Sequence, residues 1–442
     1  MEFKEYKLAD ITEKIYSGGT PSTKEASYWN GELKWLSSGE TSNRFIISTE
    51  KTITQKGVEN SSTKLAFKND LVMASAGQGY TRGQTSFLKI DTYINQSLIA
   101  ISVNKDKVHP LYLFYNLISR YAELRQISDS SSTRGSINTK MIKNLNIMIP
   151  EKSHQNRIVY LINSIDEKIE INKKIIANLE ELSQTLFKRW FVDFEFPDED
   201  GNPYKSSGEK LIESELGDIP EGWEIQKINQ IVNFINGHAF KSKELYKYNK
   251  NKKMYHVFKM GHIKQGGGLK SDATKSFYPK GIEKKLEKFV LKKGDILMSM
   301  TDMKNKVAIL GNTALMNRDD KYIVNQRVGL LRLKEDTYID YPFLYILTNS
   351  NEFLTTLRKK ANSGVQVNLT SKAIKEQLVI VPSKNYHNKF NMITKPIYLK
   401  IFDLEIENEY LTILRDTLLP KLMSGELEIP DDIEVNTDEL SI

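Results

Sequence analysis

The side chains best suited to recognising a partner lie in polar loops rich in glycine and serine. One pair of such loops occupies residues 75–83 and 130–135, and a second pair occupies residues 300–311 and 361–366. Glycine gives a loop backbone freedom, and Ser, Gln, Asn and Arg offer adaptable hydrogen bonds when a rigid scaffold presents them. The chemistry that these loops indicate is recognition through hydrogen bonding.

Motifs for catalysis are absent from the sequence. No phosphate-binding G-x-x-x-x-G-K-[ST] loop is present, and glycines 266–268 are interpreted as a flexible turn. Asn202-Pro203-Tyr204 resembles the N-P-P-[YF] loop of adenine methyltransferases only faintly, and it is interpreted as a turn. The histidines show no metal-ligand spacing; they are His109, His154, His238, His256, His262 and His387. His256 and His262 are interpreted as strand and loop residues. A Ser–His–Asp or paired-carboxylate site stays an open alternative at this point, but no residue pattern favours one.

Composition indicates a globular protein of two to four domains. The chain has 442 residues, of which 39% are hydrophobic, with 21 tyrosines and 18 phenylalanines. It has no cysteine, which excludes disulfides, thiolate metal sites and cysteine nucleophiles. No apolar run approaches the roughly 18 to 20 residues of a membrane span, and the first residues lack a secretory signal pattern. A cytoplasmic location is therefore expected.

The net charge of +7 is unevenly distributed along the chain. Residues 1–150 carry a net charge of +5 and residues 216–382 carry +13, whereas residues 151–215 and 383–442 carry −5 and −6. A basic face is typical of proteins that bind polyanions, although a lysine-rich surface can also serve solubility alone. Because the charge alternates in step with the repeat described next, the pattern favours a nucleic-acid partner.

An internal repeat divides the chain into two similar copies. DLVM at 70–73 returns as DILM at 295–298, YINQ at 93–96 as YIVNQ at 322–326, and LYLFY at 111–115 as YPFLY at 341–345. Each copy ends in an apolar strand closed by proline and is followed by a long helical stretch. The loops differ most between the copies, which is the pattern of two modules with different specificities.

Both helical stretches show a heptad pattern. In the first, Ile158, Ile165, Asn172, Leu179 and Leu186 are seven residues apart, with Leu161, Ile175 and Leu182 between them and Ile162, Ile169 and Ile176 widening the stripe. The stretch 155–191 predicts a helix of about 55 Å. Asn172 either fixes register in the seam or is simply solvated. In the second stretch, Ile397, Leu404, Leu411 and Leu418 repeat the pattern, with Pro396 expected near the helix start and Pro420 at its end. The two helices are expected to pack on each other.

These patterns give the domain boundaries. The predicted division is a first globular copy at 1–150, a central helix at 151–194, an acidic turn-rich linker at 195–222, a second copy at 223–382, a distal helix at 383–427 and an acidic tail at 428–442.

The joints between these parts resemble the specificity (S) subunit of type I DNA restriction–modification enzymes. The segments that carry the resemblance are LFKRWFVDF at 186–194, LGDIPEGW at 216–223 and LRDTLLPKLMSGE at 414–426. The resemblance implies an α+β fold with two mixed α/β target-recognition domains. Two long antiparallel coiled-coil helices would separate the domains in a pseudo-two-fold arrangement.

The resemblance also implies the function and the partners. Each domain would read one half-site of a bipartite, asymmetric sequence in double-stranded DNA, and helix length would set the spacer, since about 55 Å corresponds to roughly one and a half turns of B-DNA. The chain would be non-catalytic and bind no cofactor itself. Two methyltransferase (M) subunits and restriction (R) subunits would be its partners and would carry S-adenosylmethionine, ATP and Mg.

The variable loops and the second domain supply the candidate DNA contacts. Amide and guanidinium side chains suit base edges, and lysines suit phosphates. The predicted DNA-binding residues are Gln78, Tyr80, Arg82 and Arg134 in the first copy, and Lys304, Asn305, Lys306, Lys359, Lys360, Gln366 and Asn368 in the second. For each residue a surface role without a base contact is the alternative. For the whole chain, the alternative is a coiled-coil scaffold that binds protein partners without DNA specificity.

Overall fold

A computed structural model describes residues 2–77, 79–129, 135–249, 253–270, 273–281, 283–303, 307–363 and 366–430. The chain forms two compact units. Unit 1 comprises residues 1–169 and 411–442, and unit 2 comprises residues 170–410. Each of the long helices therefore contributes one part to unit 1 and the other part to unit 2.

In its described residues, unit 1 is built from short strands, small helices and parts of the two long helices. The strands are β1 (Phe3–Lys7), β2 (Thr12–Ser17), β3 (Trp29–Leu36), β4 (Phe45–Ile46), β5 (Lys51–Ile53), β6 (Lys64–Ala66), β7 (Leu71–Ala74), β8 (Thr85–Leu88), β9 (Thr92–Ile94), β10 (Leu98–Val103) and β11 (Asn146–Pro150). The helices are α1 (Gln55–Glu59), α2 (Pro110–Ser119), α3 (Tyr121–Asp129), α4 (Thr139–Lys143) and the long α5 (Lys152–Phe187), which continues into unit 2.

The strands of unit 1 form two main sheets and one strand pair. One sheet has the order β2-β10-β7-β8-β4, the other has the order β5-β3-β9-β6, and β1 pairs with β11. Strands β7 and β8 are buried along their whole length, because sheet and helix cover both faces. This apolar framework holds the ends of the polar loop that joins β7 to β8.

Unit 2 repeats the architecture. Its strands are β12 (Leu211–Ile212), β13 (Ile219–Pro220), β14 (Glu224–Lys227), β15 (Val232–Asn236), β16 (Met254–Phe258), β17 (Phe277–Pro279), β18 (Ile296–Ser299), β19 (Thr301–Met303), β20 (Thr313–Leu315), β21 (Tyr322–Val324), β22 (Val328–Leu333), β23 (Asn362–Ser363), β24 (Gln366–Asn368) and β25 (Leu378–Val381). Its helices are α6 (Ile228–Ile231), α7 (Tyr341–Asn349), α8 (Asn351–Lys359), α9 (Ser371–Lys375) and α10 (Lys384–Ser424).

Strand order confirms the internal repeat. The sheet β15-β22-β18-β20 of unit 2 follows the same path as β2-β10-β7-β8 of unit 1, and β14 pairs with β25 as β1 pairs with β11. The parallel pair β16 and β21 matches the parallel pair β3 and β9. The predicted fold class, two similar α/β domains joined to two long helices, is therefore confirmed.

The long helices pack antiparallel in each unit. In unit 1, Ile158 and Ile162 of α5 share a core with Leu419 and Leu422 of α10. In unit 2, Phe187 at the end of α5 lies 6.2 Å from Phe390, near the start of α10, between ring centroids. A π-helical turn, Lys188–Val192, follows α5. No helix in the described part of the chain is long and apolar enough to span a membrane.

The seam of α5 differs from the predicted heptad at two positions. Ile175 and Leu182 are exposed, whereas Ile162 and Ile169 are buried and Ile176 is partly buried against the core of unit 2. The buried side of α5 begins at Ile158 and continues at intervals of alternately four and three residues. The side chains at these positions face the domain as well as the partner helix. A heptad pattern alone could not distinguish the two sets of isoleucines and leucines.

Asn172 lies in the seam and is fully buried. Its Nδ2 donates hydrogen bonds to Glu407 Oε2 at 2.8 Å and to Asn408 Oδ1 at 3.0 Å on α10. The alternative of a simply solvated asparagine is therefore wrong. A buried polar pair across a helix seam favours one register, because any shift would leave its polar groups unpaired.

The prolines of α10 lie inside the helix rather than at its boundaries. The helix begins at Lys384, so Pro396 falls twelve residues after its start, and Pro420 falls before its end at Ser424. An internal proline removes one helical hydrogen bond and costs about 3 kcal/mol or more. Buried Phe390 and Tyr398 pack into the core of unit 2 on either side of Pro396, and this packing keeps the helix continuous.

A buried ionic cluster fixes the domain of unit 1 to the helix pair. Asp166 of α5 accepts hydrogen bonds from Arg44 at 3.1 Å, from Arg415 of α10 at 2.6 Å and from the Tyr115 hydroxyl at 3.1 Å. Burial raises the pKa of Tyr115 well above its ordinary value, so the hydroxyl remains a donor. The cluster joins both long helices to the domain through one carboxylate.

Unit 2 uses different residues for the same purpose. Arg318 lies 2.7 Å from Glu409 of α10, Lys321 also pairs with Glu409, and Asn317 donates to Glu405 at 2.8 Å. Burial raises the pKa of Glu405 to about 7. The domain of unit 2 is therefore fixed mainly to α10.

The segment predicted as a linker packs against the core of unit 2. Phe196 is fully buried, and its ring stacks on Tyr204 at 4.5 Å and on Trp223 at 5.0 Å between centroids. Tyr204 donates from its hydroxyl to Lys210 O at 2.8 Å, which agrees with interpreting Asn202-Pro203-Tyr204 as a turn. The predicted tail begins at residue 428, and positions 431–442 lie outside the described residues.

Candidate nucleic-acid interface

In unit 1 the two polar loops come together at the end of β7. Ile137 N, just after the second loop, donates to Ser75 O in the first loop at 2.8 Å. Gly83 N donates to Ala74 O at 2.9 Å and closes the first loop at its base. Loops separated by about fifty residues in sequence therefore form one surface.

Unit 2 holds its two loops with the same bonds. Leu369 N donates to Met300 O at 2.8 Å, and Gly311 N donates to Ser299 O at 2.8 Å. These residues occupy the positions of Ile137, Ser75, Gly83 and Ala74 in the repeat. The backbone bonds at the base of the loop pair are therefore the same in both units, although the residues at the loop tips differ.

An arginine supports the first loop from below in each unit. Arg125 of α3 donates from Nη1 to Gly79 O at 2.9 Å, and Arg358 of α8 donates from Nε to Leu310 O at 2.9 Å. A charge-assisted bond to a carbonyl is stronger than a neutral one, and it fixes the backbone of the loop at Gly79 and at Leu310, which lie outside the strands. Neither arginine was predicted as a site residue. The signal was the repeated Leu-Arg dipeptide at 124–125 and 357–358.

The glycine that closes each loop is required by its conformation. Gly83 and Gly311 have φ angles of +86° and +78°, a region that favours glycine. A Cβ on Gly83 would lie 3.6 Å from Leu124, and one on Gly311 would lie 3.2 Å from Leu354. The close approach of loop and helix lets the arginine reach the loop carbonyl.

The loop tips differ in construction. In unit 1, Arg82 is 7% exposed, pairs with Asp129 and donates to Gly135 O at 2.8 Å, which joins the two loops. In unit 2 the loops form a small sheet of order β19-β24-β23. There Asp302 Oδ2 accepts from Ile309 N at 2.6 Å and from Leu310 N at 3.1 Å. The same base therefore presents two different surfaces.

The strand that leads into each loop also differs in its electrostatics. Asp295, just before β18, makes a bidentate pair with Arg332 at 2.8 and 2.6 Å. Asp70 lies just before β7 and faces Ser102. In the repeat, Ser102 of unit 1 takes the position that Arg332 has in unit 2. Burial raises the pKa of Asp70 above its ordinary value, against the opposing effect of the hydrogen bond from Phe67 N.

Two of the histidines form a buried pair in unit 2. His256 and His262 lie with their Nε2 atoms 3.2 Å apart in unit 2, and both are buried. Burial is the main cause that lowers their pKa values to about 3 and about 4, so both are neutral at pH 7. Over the described ranges, no group of three or more His, Asp or Glu side chains could hold a metal ion. The interpretation as strand and loop residues agrees with this geometry.

Comparison with known proteins identifies the family. The family model for the type I restriction modification DNA specificity domain matches residues 1–181 and 220–408. The chain belongs to this family. Similar proteins in the specificity family include the type I restriction enzyme MjaIX specificity subunit of Methanocaldococcus jannaschii, which is 27% identical and aligns over 96% of this chain and 93% of its own length. The HindI specificity subunit of Haemophilus influenzae is 23% identical and aligns over 96% of this chain and 100% of its own length.

A solved structure has the same fold. The S subunit of a type I restriction–modification system from M. genitalium superposes with a TM-score of 0.55 at 17% identity. The superposition covers 95% of this chain and 96% of that one. It supports the two-domain, two-helix architecture of the specificity family in this chain.

Several predicted contact residues lie on the loop surfaces. Tyr80, Lys359, Lys360 and Asn368 are exposed, and Gln366 is half-buried. Asn368 accepts a hydrogen bond from Thr301 at 2.8 Å across β19 and β24. The structure thus brings Gln366 and Asn368 beside the loop that precedes them by about sixty residues. Five predicted residues lie outside the described residues: Gln78, Arg134, Lys304, Asn305 and Lys306.

Arg82, which was predicted to bind DNA, has a structural role in unit 1. Its guanidinium is buried in the ion pair with Asp129 and joins the two loops of unit 1. A base contact by Arg82 stays a prediction, and it would require the guanidinium to leave this pair.

Two pairs of exposed lysines beside the loops were not predicted. Lys140 and Lys143 lie on α4, which begins two residues after Ile137, and Lys372 and Lys375 lie on α9, which begins two residues after Leu369. The lysines recur at the same spacing 232 residues apart. That recurrence was a signal in the sequence, but a Lys-x-x-Lys pair is common on any solvated helix.

Proposed function

We propose that this chain is the non-catalytic DNA-reading subunit of a type I restriction–modification complex. Each unit reads one half-site of a bipartite, asymmetric target in double-stranded DNA. The observation that carries the proposal is the pair of loops in each unit: the base is held by the same backbone bonds, and the tips differ. Such an arrangement fits one framework with two specificities.

The repeated lysines supply affinity that does not depend on sequence. Lys140, Lys143, Lys372 and Lys375 are exposed beside the loops and suit phosphate contacts. Each neutralised phosphate releases counterions, so the logarithm of the binding constant falls with the logarithm of salt concentration by about 0.9 per contact. The predicted residues Lys359, which ends α8, and Lys360, which follows it, serve the same role.

The partner subunits dock on the long helices. Ile171, Ile175 and Leu182 are exposed on α5 at a spacing of four and seven residues, which places them on one side of the helix. Exposed apolar side chains aligned in this way are typical of protein interfaces. They form a docking surface for a methyltransferase subunit, with two such subunits and restriction subunits in the full complex. S-adenosylmethionine, ATP and Mg belong to those partners.

The test is salt-dependent binding of target DNA by the full chain with its methyltransferase subunits. Lys140→Ala with Lys143→Ala, and separately Lys372→Ala with Lys375→Ala, should each reduce the salt slope by about 2 and weaken target and non-target DNA alike. Lys173→Ala, on an exposed part of α5, is the matched control and should leave the slope unchanged. A complex that binds partner subunits but shows no preference for any DNA sequence would instead be a protein scaffold.

A further inference from the structure

Among the described residues of the first loop in each unit, one apolar side chain near the tip is the most exposed, and in unit 2 Val307 of the same loop is 41% exposed. Tyr80 in unit 1 is 76% exposed, and Met303 in unit 2 is 58% exposed. Single exposed apolar side chains are common on protein surfaces, so exposure alone assigns no role. The backbone beneath these two residues distinguishes them.

The backbone at Tyr80 is held by side chains from α3. Tyr121 donates from its hydroxyl to Tyr80 O at 2.8 Å, and Arg125 donates to the neighbouring Gly79 O at 2.9 Å. Gly79 itself has a φ of +64°, which turns the chain sharply before Tyr80. These bonds fix the position of Tyr80, while its ring projects into solvent.

Met303 is fixed by different means. Its backbone N donates to Asp302 Oδ1 at 2.8 Å, and it pairs with Gln366 in the sheet of β19 and β24. Asp302 also holds the returning part of the loop, because its Oδ2 accepts a hydrogen bond from Ile309 N at 2.6 Å. In both units, these contacts fix the backbone at Tyr80 and at Met303 before any partner arrives, which lowers the entropic cost of binding through those two side chains.

The setting of the two tips favours DNA bases as the group that they contact. Exposed lysines follow the loop pair on α4 and α9, and polar side chains such as Asn368 lie beside the second tip. A phosphate backbone held at this surface would bring the bases to the tip. Aromatic rings stack on bases, and methionine is among the side chains that insert between base steps.

We infer that Tyr80 and Met303 are apolar wedges, each of which presses against one base step in the half-site read by its own unit. The inference rests on the proposed function. A wedge reads deformability rather than hydrogen-bond pattern, so each half-site should favour a flexible pyrimidine–purine step at the position of contact. The wedge adds specificity that the polar side chains of the loops do not provide.

The test uses the full chain with its methyltransferase subunits and target DNA in which 2-aminopurine replaces adenine, one position at a time. Because 2-aminopurine brightens when it is unstacked, fluorescence should rise at one step in each half-site in addition to any base that the methyltransferase subunits flip out of the stack. Tyr80→Ala should abolish the rise in its own half-site only and weaken binding by about 5- to 150-fold, which corresponds to about 1–3 kcal/mol. Met303→Ala should act in the same way on the other half-site.

Matched variants separate a wedge from a general loss of surface. Tyr80→Phe and Met303→Leu should retain the fluorescence change, because they keep an apolar side chain at the tip. Phe67→Ala removes an aromatic ring that is 55% exposed in unit 1 and should change neither signal. Each Ala variant also serves as the control for the other half-site.

The outcomes distinguish failure of this inference from failure of the proposed function. If the unmodified complex binds its target, but no 2-aminopurine signal depends on Tyr80 or Met303 and both Ala variants bind equally well, the wedges are overturned and DNA reading stands. If Tyr80→Ala weakens association with the methyltransferase subunit and leaves DNA binding intact, the tip is a protein contact. Absence of any DNA preference in the unmodified complex would instead overturn the proposed function.

Discussion

Arg358 on α8 donates a hydrogen bond from Nε to the carbonyl of Leu310 at 2.9 Å, and its Nη2 lies 3.3 Å from Asn312 Oδ1. The bond ties a helix of the domain framework to the variable loop of unit 2. Arg125 and Gly79 make the corresponding bond in unit 1. These bonds hold the loops without requiring either arginine to touch DNA, so we expect recognition to depend on both arginines.

Arg358→Ala should weaken recognition of one half-site only. Loss of a charge-assisted bond costs about 1.5–3 kcal/mol, and the loop of unit 2 would lose its fixed position. The measurement is equilibrium binding to the full target and to targets with either half-site scrambled. Thr355→Ala, at an exposed position of the same helix, is the control. An equal loss for both half-sites would contradict independent loop pairs.

Gly18→Ala and Gly237→Ala should each destabilise their own unit. A Cβ on Gly18 would lie 2.0 Å from Ile94 O, and one on Gly237 would lie 1.9 Å from Asn325 O, so the backbone must move. Such overpacking costs about 1–3 kcal/mol or more, and it should appear as a lower melting temperature in calorimetry. Gly39→Ala and Gly261→Ala are the matched controls, since a Cβ there meets nothing closer than 3.8 Å. If the control variants were as unstable as the test variants, the close contact of Gly18 with Ile94 and of Gly237 with Asn325 would not explain the loss of stability.

Asp70→Asn and Asp295→Asn should have opposite effects on stability at pH 8. Asp295→Asn removes the carboxylate charge that pairs with Arg332. Breaking such a buried ion pair costs about 3–5 kcal/mol. Asp70 has a raised pKa, so the native state binds more protons than the unfolded state, and the stability that this group contributes falls as pH rises through the raised pKa. Asp70→Asn should therefore be at least as stable as the unmodified chain at pH 8, with the advantage shrinking on acidification.

Urea unfolding of both variants between pH 4 and pH 8 gives this comparison. A loss at Asp70 that equals the loss at Asp295 at pH 8 would show that the two carboxylates have equivalent partners.

Insertion of one heptad in each long helix should lengthen the DNA spacer without changing the half-sites. The insertions follow Asn172 on α5 and precede Glu407 on α10, so that the buried pair between them is kept. One heptad adds about 10 Å of helix. Selection of bound sequences from a randomised pool measures the spacer. Half-sites that change while the spacer stays constant would show that the helices do not set the spacing.

Much of the framework was predictable from the sequence, because apolar patterns and the repeat fix strands and helices. DILM at 295–298 repeats DLVM at 70–73, and both form the buried strand that leads into a loop. The seam of α5 was partly wrong at Ile175 and Leu182, since the packed face depends on the domain as well as the helix partner. Pro396 was misplaced because tertiary packing offset its helix-breaking effect.

The candidate site was less predictable for a physical reason. The sequence indicated which loops are polar, but it could not indicate that Arg82 is buried against Asp129 rather than exposed. A lone arginine on a helix, such as Arg125, looks like a solvated side chain until the loop that it holds is placed beside it. The equivalence of Lys140 and Lys372 followed from the structure, because the backbone bonds from Ile137 and Leu369 align the two copies.

We infer that this chain carries two independent readers of DNA. The most direct test is methylation mapping of DNA treated with the full chain and its methyltransferase subunits, using the unmodified chain and a variant with residues 300–311 replaced by the loop of a related specificity subunit. We predict a bipartite target for the unmodified chain and a change confined to one half-site for the variant. A contiguous target, or a change in both half-sites, would contradict the presence of two independent readers.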